Sequence, residues 1–194
     1  MRPQIKNNRS RFNILDTQFC GLRVLVRQPI SDSRGFFERL FCMEELKEIV
    51  PDKHIVQINH TNTNKKGIVR GLHYQRAPYS EIKCISCLRG EVFDVVVDLR
   101  MDSPTYLQWH SELLSEKNYK TIIVPEGFAH GFQSLTDDCE MLYFHTSEFN
   151  PESEAGLNAR DPRLSISWPL EITEQSLRDK LHPFLKDEFY GDAT

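Results

Sequence analysis

Residues 67–100 read GIVRGLHYQRAPYSEIKCISCLRGEVFDVVVDLR, and the architecture expected of the whole chain follows from these residues. They divide into three strands. Ile68-Val69 leads into the first, which carries Arg70 and His73; Ile82–Leu88 is the second and Val92–Leu99 the third, with Arg89-Gly90-Glu91 as the turn between the last two. In the third strand Phe93, Val95, Val97 and Leu99 make one face wholly apolar, while Val92 and Val96 alternate with Asp94 and Asp98 on the other. A half-buried strand shows one apolar face and one wet face. Here the second face is only half polar, so the pattern predicts cover on both sides. Charged groups inside a sheet are costly unless paired, and they gather where a cavity takes a polar ligand. His73, Lys83 and Asp94 stand in that setting. Each alone reads as a satisfied histidine or a surface charge; the three together point to a site.

Upstream, Phe12–Leu25 is a candidate strand pair and Asp32-Ser33-Arg34-Gly35 a turn. Met43–Val50 has helical spacing and ends before Pro51. Ile55–His60 alternates as a half-buried strand, and Thr61–Gly67 is a polar loop. Downstream, Trp109–Leu114, Lys120–Val124, Phe128–Leu135 and Glu140–Thr146 read as strands, and residues 149–168 as loop. Leu177–Phe189 reads as a C-terminal helix interrupted at Pro183. Many short strands with few short helices predict an all-β jelly-roll barrel or sandwich with a ligand in its mouth. A single domain over residues 1–194 is expected, with residues 1–11 a loose tail.

Composition narrows the function. A chain of 194 residues, 39% hydrophobic and 27% charged, suits one soluble globular domain with a substantial core. Its net charge of −4 argues against nucleic acid as a partner, which calls for a basic stripe. No apolar run approaches a membrane span, and the start, MRPQIKNNRSRF, lacks the apolar core of a signal peptide, so a cytoplasmic protein is expected. Five scattered cysteines fit reduced thiols better than a disulfide framework. Cys84-x-x-Cys87 resembles half a zinc knuckle, but residues three apart on a strand face opposite ways, so the pair reads as structural. The sequence contains no G-x-G-x-x-G after a strand, no phosphate-binding G-x-x-x-x-G-K-S/T loop and no G-x-S-x-G elbow.

A metal site would need other ligands than these. Jelly-roll enzymes of the cupin type gather His-x-His, a Glu and a distant His on one ion. Here His73 is followed by Gln75, then Glu81, with His130 as the distant histidine. A neutral amide is a poor ligand for zinc or iron, and Lys83 brings a cation onto the face that carries Glu81. The expectation is a site without metal. Such a pocket, with His, Lys, Asp and Tyr, suits proton transfer at carbon next to a carbonyl. A histidine titrating near about 6.5 can serve as base when a carboxylate orients it. A cation stabilises the enolate oxygen, and an acid on the other face, for which Tyr143 is the candidate, returns the proton. Read alone, Tyr143 is a half-buried core tyrosine.

Longer motifs carry a resemblance. Arg70-Gly71-Leu72-His73-Tyr74-Gln75, Gly90-Glu91-Val92-Phe93-Asp94-Val95 and the run from Pro125 to Phe132 (PEGFAHGF) resemble the dTDP-4-dehydrorhamnose 3,5-epimerase family. So do Asp98-Leu99-Arg100 with Ser103-Pro104-Thr105, and Asp161-Pro162 with Trp168-Pro169; the likeness runs from about Phe12 to Phe184. It implies a cupin-like homodimer that needs no cofactor or metal and acts on a nucleotide-linked 4-keto-6-deoxyhexose. By resemblance His73 is the base at C5 and C3, and Asp179 its orienting carboxylate once one deletion after Pro169 is allowed. Lys83 lies at the C4 oxygen and Tyr143 is the opposite acid. Gln57, Asn59, Arg70 and His130 match positions along the sugar and diphosphate, and Asp94 is grouped with these substrate-binding residues. Arg34 and Phe37 match a segment that crosses to the partner's site and holds the nucleotide.

Two positions depart from the family pattern. Arg39 stands where a Glu is usual, and Glu148 where an aromatic residue commonly precedes Phe149. An arginine donates hydrogen bonds but accepts none, so the N3–H of thymine would need another acceptor, with Glu38 or Glu148 as candidates, or the base preference would differ. Two other readings stay open. One is an enzyme that epimerises a single carbon or isomerises the ketone of another nucleotide sugar; the other is a non-catalytic or metal-binding cupin.

Overall fold

The alternation of short apolar runs with Gly, Pro and Asx turns produces thirteen strands and two short helices in a computed structural model that describes residues 10–50 and 53–186. In chain order they are β1 (Phe12–Asp16), β2 (Arg23–Arg27), β3 (Ile30–Asp32), β4 (Gly35–Phe37), α1 (Met43–Leu46), β5 (Gln57–Thr63), β6 (Val69–Gln75) and β7 (Lys83–Arg89). There follow β8 (Glu91–Asp98), β9 (Trp109–Ser115), β10 (Lys120–Val124), β11 (Phe128–Ser134), β12 (Cys139–His145), β13 (Glu154–Gly156) and α2 (Leu177–Leu181). One sheet has the order β1-β2-β10-β7-β12-β5 and the other β13-β6-β11-β8-β9; β3 and β4 form a separate hairpin. This is the all-β, cupin-like jelly roll that the strand pattern predicts.

Three apolar clusters explain why so many strands carry hydrophobic residues on both faces. Val92 and Val96 of β8 enter the cluster between the sheets with Ile85, Ile122, Phe128 and Phe132. Val95, Val97 and Leu99 enter a second cluster, closed by Leu157, Leu164 and Trp168 of the C-terminal segment. A third lies outside the first sheet, where Leu46 and Val50 cover Leu25, Cys84, Ile123 and Phe144. Cys87 belongs to the inner cluster and Cys84 to the outer one, as the opposite-facing reading of the pair requires. Burial pushes both thiols up to about 12, which makes them inert packing groups. Phe132 is fully buried, and truncating it to alanine would cost about 3–5 kcal/mol.

The Asp98-to-Thr105 motif is a turn built around one carboxylate. Asp98 accepts from Arg100 Nε at 2.8 Å, Ser103 Oγ at 2.6 Å and Thr105 Oγ1 at 2.7 Å, and these partners hold it below its ordinary pKa against the opposing effect of burial.

Four boundaries differ from the sequence pattern. The helix expected over Met43–Val50 is α-helical only to Leu46 and continues as turns; its N-cap residue, Cys42, supplies no side-chain bond. β5 runs on to Thr63, through residues read as loop, because its partner β12 pairs with it along the whole length. That misreading arises because edge-strand residues exposed to water need not be apolar. The C-terminal helix is five residues long, and residues 187–189 of the expected span lie outside the described residues, as do residues 1–9 of the expected tail. β13, too short to show periodicity, pairs with His73–Gln75 of β6. No helix among the described residues is long and apolar enough to cross a membrane.

Candidate active site

Both sheets contribute walls to a cavity of about 480 Å³. From the first sheet, strand register places Gln57, His145 and Lys83 in one cross-strand row and Asn59 with Tyr143 in the next. From the second, His73 on β6 is the register partner of His130 on β11, and Arg70 the partner of Phe132. The two glycines between them allow this approach. Gly71 has φ +118°, and a Cβ there would lie 2.6 Å from Gly131 Cα.

The C-terminal segment brings Asp179 to His73. Buried Gln133 clamps the backbone of Leu170, accepting from its N–H and donating to its carbonyl at 2.9 Å each. The Val69 N–H donates to Glu174 O at 3.0 Å, and Ser176 caps α2 by accepting from the Asp179 N–H at 3.0 Å. Asp179 Oδ1 then lies 2.9 Å from His73 Nε2, while its Oδ2 accepts from the Gly71 N–H at 3.1 Å. Burial opposes ionisation of Asp179, but hydrogen bonds from His73 and Gly71 outweigh it and hold the carboxyl down at about 2. With an ionised acceptor at Nε2, His73 carries its proton there and keeps the Nδ1 lone pair.

Asp94 does not line the cavity, contrary to its expected place among the substrate-binding residues. Its side chain is wholly buried on the inner face of β8, and Oδ2 lies 2.7 Å from His130 Nε2. It touches the site through His130, which does line it. Burial, outweighing the pull of His130, pushes the Asp94 carboxyl up.

Lys83 Nζ lies 3.4 Å from the carbonyl oxygen of His73 and 3.3 Å from Glu81 Oε1. Tyr143 packs between two imidazoles, edge-on to His130 at 6.2 Å and stacked on His145 at 6.1 Å. Burial raises its phenol, so it stays protonated through the neutral range. Arg70 is aimed by Thr63 Oγ1, which accepts from its Nε at 2.8 Å, and by the Asn62 carbonyl, which accepts from Nη2 at 3.0 Å. Gln57 Nε2 donates to Asn59 Oδ1 at 3.2 Å, and Gln57 Oε1 accepts from the N–H of Phe149, which also lines the cavity.

Arg34 and Phe37 do not line this chain's cavity. They sit on the β3–β4 hairpin, where Arg34 pairs with Asp32 at 2.6 Å and Phe37 is 62% exposed. Glu38, considered as an acceptor for the base, is instead committed to buried Arg27 at 2.8 Å, and Arg39 pairs with Glu45.

The four side chains that would make a cupin-type metal site have separate assignments. His73 is on Asp179, His130 on Asp94, and Glu81 on His145 and Lys83, while Gln75 holds the backbone of Tyr79, Glu148 and Asn150. A different trio, His73, Asp179 and His182, brings its donor atoms within 4.8 Å of one another. Arg178 Nη2 stands 3.5 Å from His73 Nε2, so a cation already occupies that neighbourhood.

Residues that the sequence reading passed over also line the cavity. Arg178 spans both oxygens of Glu154 at 2.9 Å, and His145 bonds Glu81. A signal for the latter existed: His145 is two residues beyond Tyr143 and Glu81 two before Lys83, the spacing that keeps strand residues on one face.

A family model described as dTDP-4-dehydrorhamnose 3,5-epimerase matches residues 16–187. The chain belongs to the dTDP-4-dehydrorhamnose 3,5-epimerase family. A relative so named from Salmonella typhimurium is 40% identical over 174 residues, covering 89% of this chain and 94% of that protein. Another, from Neisseria gonorrhoeae, is 43% identical over 159 residues and covers 82% of this chain, which spans about half (48%) of that protein's length. Among solved structures, a dTDP-6-deoxy-D-glucose-3,5-epimerase from Legionella pneumophila, in complex with dTDP-4-keto-L-rhamnose, superposes with a TM-score of 0.88. It is 37% identical and covers 94% of this chain and 98% of that one. The chain is thus a sugar-nucleotide epimerase of the isomerase class, and His73, Lys83, His130 and Tyr143 line the cavity of this epimerase.

Proposed function

We propose that the chain inverts C3 and C5 of a dTDP-linked 4-keto-6-deoxyhexose, converting dTDP-4-dehydro-6-deoxy-D-glucose to dTDP-4-dehydro-L-rhamnose, without metal or cofactor. The observation that carries this reading is the pairing of His73 with an ionised Asp179 at the wall of a cavity that Lys83 and Tyr143 also line. Both carbons flank the C4 ketone, so their protons are the acidic ones. His73 Nδ1 removes the proton, and the electron pair passes to the C4 oxygen as an enolate. The Lys83 ammonium stabilises that oxygen. Tyr143 delivers a proton to the opposite face of the carbon, inverting it, and solvent restores both groups before the second carbon reacts.

His130 takes a different part. Asp94 engages its Nε2 at 2.7 Å, which leaves Nδ1 as the ring nitrogen free to meet the substrate's oxygens. The hairpin supports a homodimer. Ile30, Phe36 and Phe37 are 47%, 60% and 62% exposed, an apolar surface suited to a second copy. Arg34 and Phe37 would then reach the partner's cavity, the arginine toward phosphate and the phenylalanine toward the base. Five free thiols fit a reducing, cytoplasmic setting.

Product analysis by proton NMR tests the reading. Epimerisation at both carbons gives the L-rhamno configuration, whereas inversion at one carbon or migration of the ketone would replace it. Competition among dTDP, UDP, CDP and GDP checks the base, with dTDP expected to bind best.

A further inference from the structure

Three histidine–carboxylate pairs border this cavity, and the proton chemistry above uses two. The third is built as tightly. His145 Nδ1–H donates to Glu81 Oε2 at 2.6 Å, and the other oxygen, Oε1, lies 3.3 Å from Lys83 Nζ. The three side chains are almost closed off from water, at 11% for Lys83, 7% for Glu81 and 11% for His145. Asn59 fixes the state of the ring. Its Oδ1 accepts from Gln57, so Nδ2 faces His145 Nε2, at 3.3 Å. An amide nitrogen donates, so Nε2 accepts, and the ring proton that faces Glu81 is the one on Nδ1. Burial opposes ionisation of Glu81, yet His145 and Lys83 together hold its carboxyl below the ordinary value.

We propose that Glu81 and His145 are positioning residues for Lys83. Glu81 is the resident counter-charge that keeps the ammonium charged and aimed at the substrate's carbonyl oxygen. His145 occupies the second carboxylate oxygen, so no free anionic edge meets an anionic substrate or its enolate. This rests on the epimerase reading above. Burial without a counter-charge favours the neutral amine, and Nζ otherwise meets the His73 carbonyl, a neutral acceptor. The placement is enforced by backbone geometry: Glu81 and Lys83 are two apart, and His145 is the register partner of Lys83. The other ionisable groups on the cavity walls are Arg70, His73 and Tyr74 on β6, His130 on β11, Tyr143 on β12, Glu154 on β13, Glu174, and Arg178 with Asp179 on α2.

Three variants test the proposal: Glu81→Gln, which keeps shape and removes charge; Glu81→Asp, which keeps charge; and His145→Gln. Glu81→Gln is expected to lower kcat about 10–100-fold with little change in KM, and to bring the alkaline limb of kcat/KM to lower pH. Glu81→Asp should restore most of both, and His145→Gln should move both in the same direction by less. Acetic anhydride, which reacts with the neutral amine, should label Lys83 faster at neutral pH in Glu81→Gln than in the wild type, as read by mass spectrometry. Unchanged labelling with an unchanged pH profile, or an equal loss of rate at every pH, would overturn the proposal. Labelling needs no turnover, so a wild-type protein that failed to epimerise would sink the functional reading while the network was still judged by Lys83 reactivity.

Discussion

His73 and His130 are register partners on adjacent strands, each with Nε2 on an aspartate at 2.9 and 2.7 Å, yet their surroundings give them opposite roles. Asp179 sits at a helix start with a backbone N–H on its second oxygen, and it is held at about 2. Asp94 sits inside the barrel with Oδ1 unpartnered, and burial pushes it up. The first aspartate accepts a hydrogen bond from its histidine and orients it as a base. The second, disfavoured as an anion by burial, is the poorer partner for a base. The same two residue types, both in hydrogen-bond contact, become different tools through what satisfies the far oxygen of the carboxylate.

The largest effect expected is at the base itself. His73→Ala should lower kcat by about 10⁴-fold while the protein stays folded: the ring is partly exposed and its loss leaves no core cavity, so the stability lost is that of its Asp179 contact alone. Steady-state kinetics beside circular dichroism would show it; a modest loss would assign the base elsewhere. Next comes Tyr143→Phe, expected to lower product formation by about 10³-fold. His73 would still exchange substrate protons with solvent, so exchange should outrun conversion.

The two aspartates offer a sharper division. Asp179→Asn turns an acceptor into a donor at Nε2, imposes the wrong tautomer on His73, and should cost about 10²-fold in kcat, less than loss of the base. Asp94→Asn keeps a hydrogen-bonding group of the same shape at Nε2 of a residue that is not the base, and should cost less than about 10-fold. Equal losses in the two variants would break the distinction. In stability the signs also differ. Asp179 is depressed below its unfolded value, so it stabilises the fold above about pH 4 by on the order of 2 kcal/mol, and that contribution is lost as pH falls through about 2. Asp94 is raised, so its stability cost grows as pH rises above the ordinary carboxylate value and is complete once pH has passed its folded pKa. The smallest effect is expected from metal removal: prolonged chelation should leave turnover unchanged, and restoration of a lost rate by one particular ion would contradict that.

The barrel was legible because period-two alternation and apolar runs on both faces of residues 92–99 reflect two buried cores, and those are properties of neighbouring residues. The grouping of His73 with Lys83 was legible for the same reason, as they lie on successive strands. Asp94 was misplaced because alternation fixes a face and says nothing of depth; the cavity wall in front of it is His130, thirty-six residues on. The Glu81–His145 contact crosses sixty-four residues, and only strand register brings it together. Arg34 and Phe37 were singled out by resemblance alone, and in one chain they stay on an exposed hairpin. No local pattern could have tied Asp179 to His73, because the clamp that docks the C-terminal segment, Gln133 on Leu170, is tertiary.

The most direct test of the division between the two histidines follows the substrate's own protons. Wild type, His73→Asn and His130→Asn would be incubated in D2O with dTDP-4-dehydro-6-deoxy-D-glucose, and deuterium at C3 and C5 counted by proton NMR. The wild type should incorporate deuterium at both carbons, His130→Asn at both but more slowly, and His73→Asn at neither. Persistent exchange at both carbons in His73→Asn, or its loss in His130→Asn alone, would contradict the assignment of His73–Asp179 as the base pair.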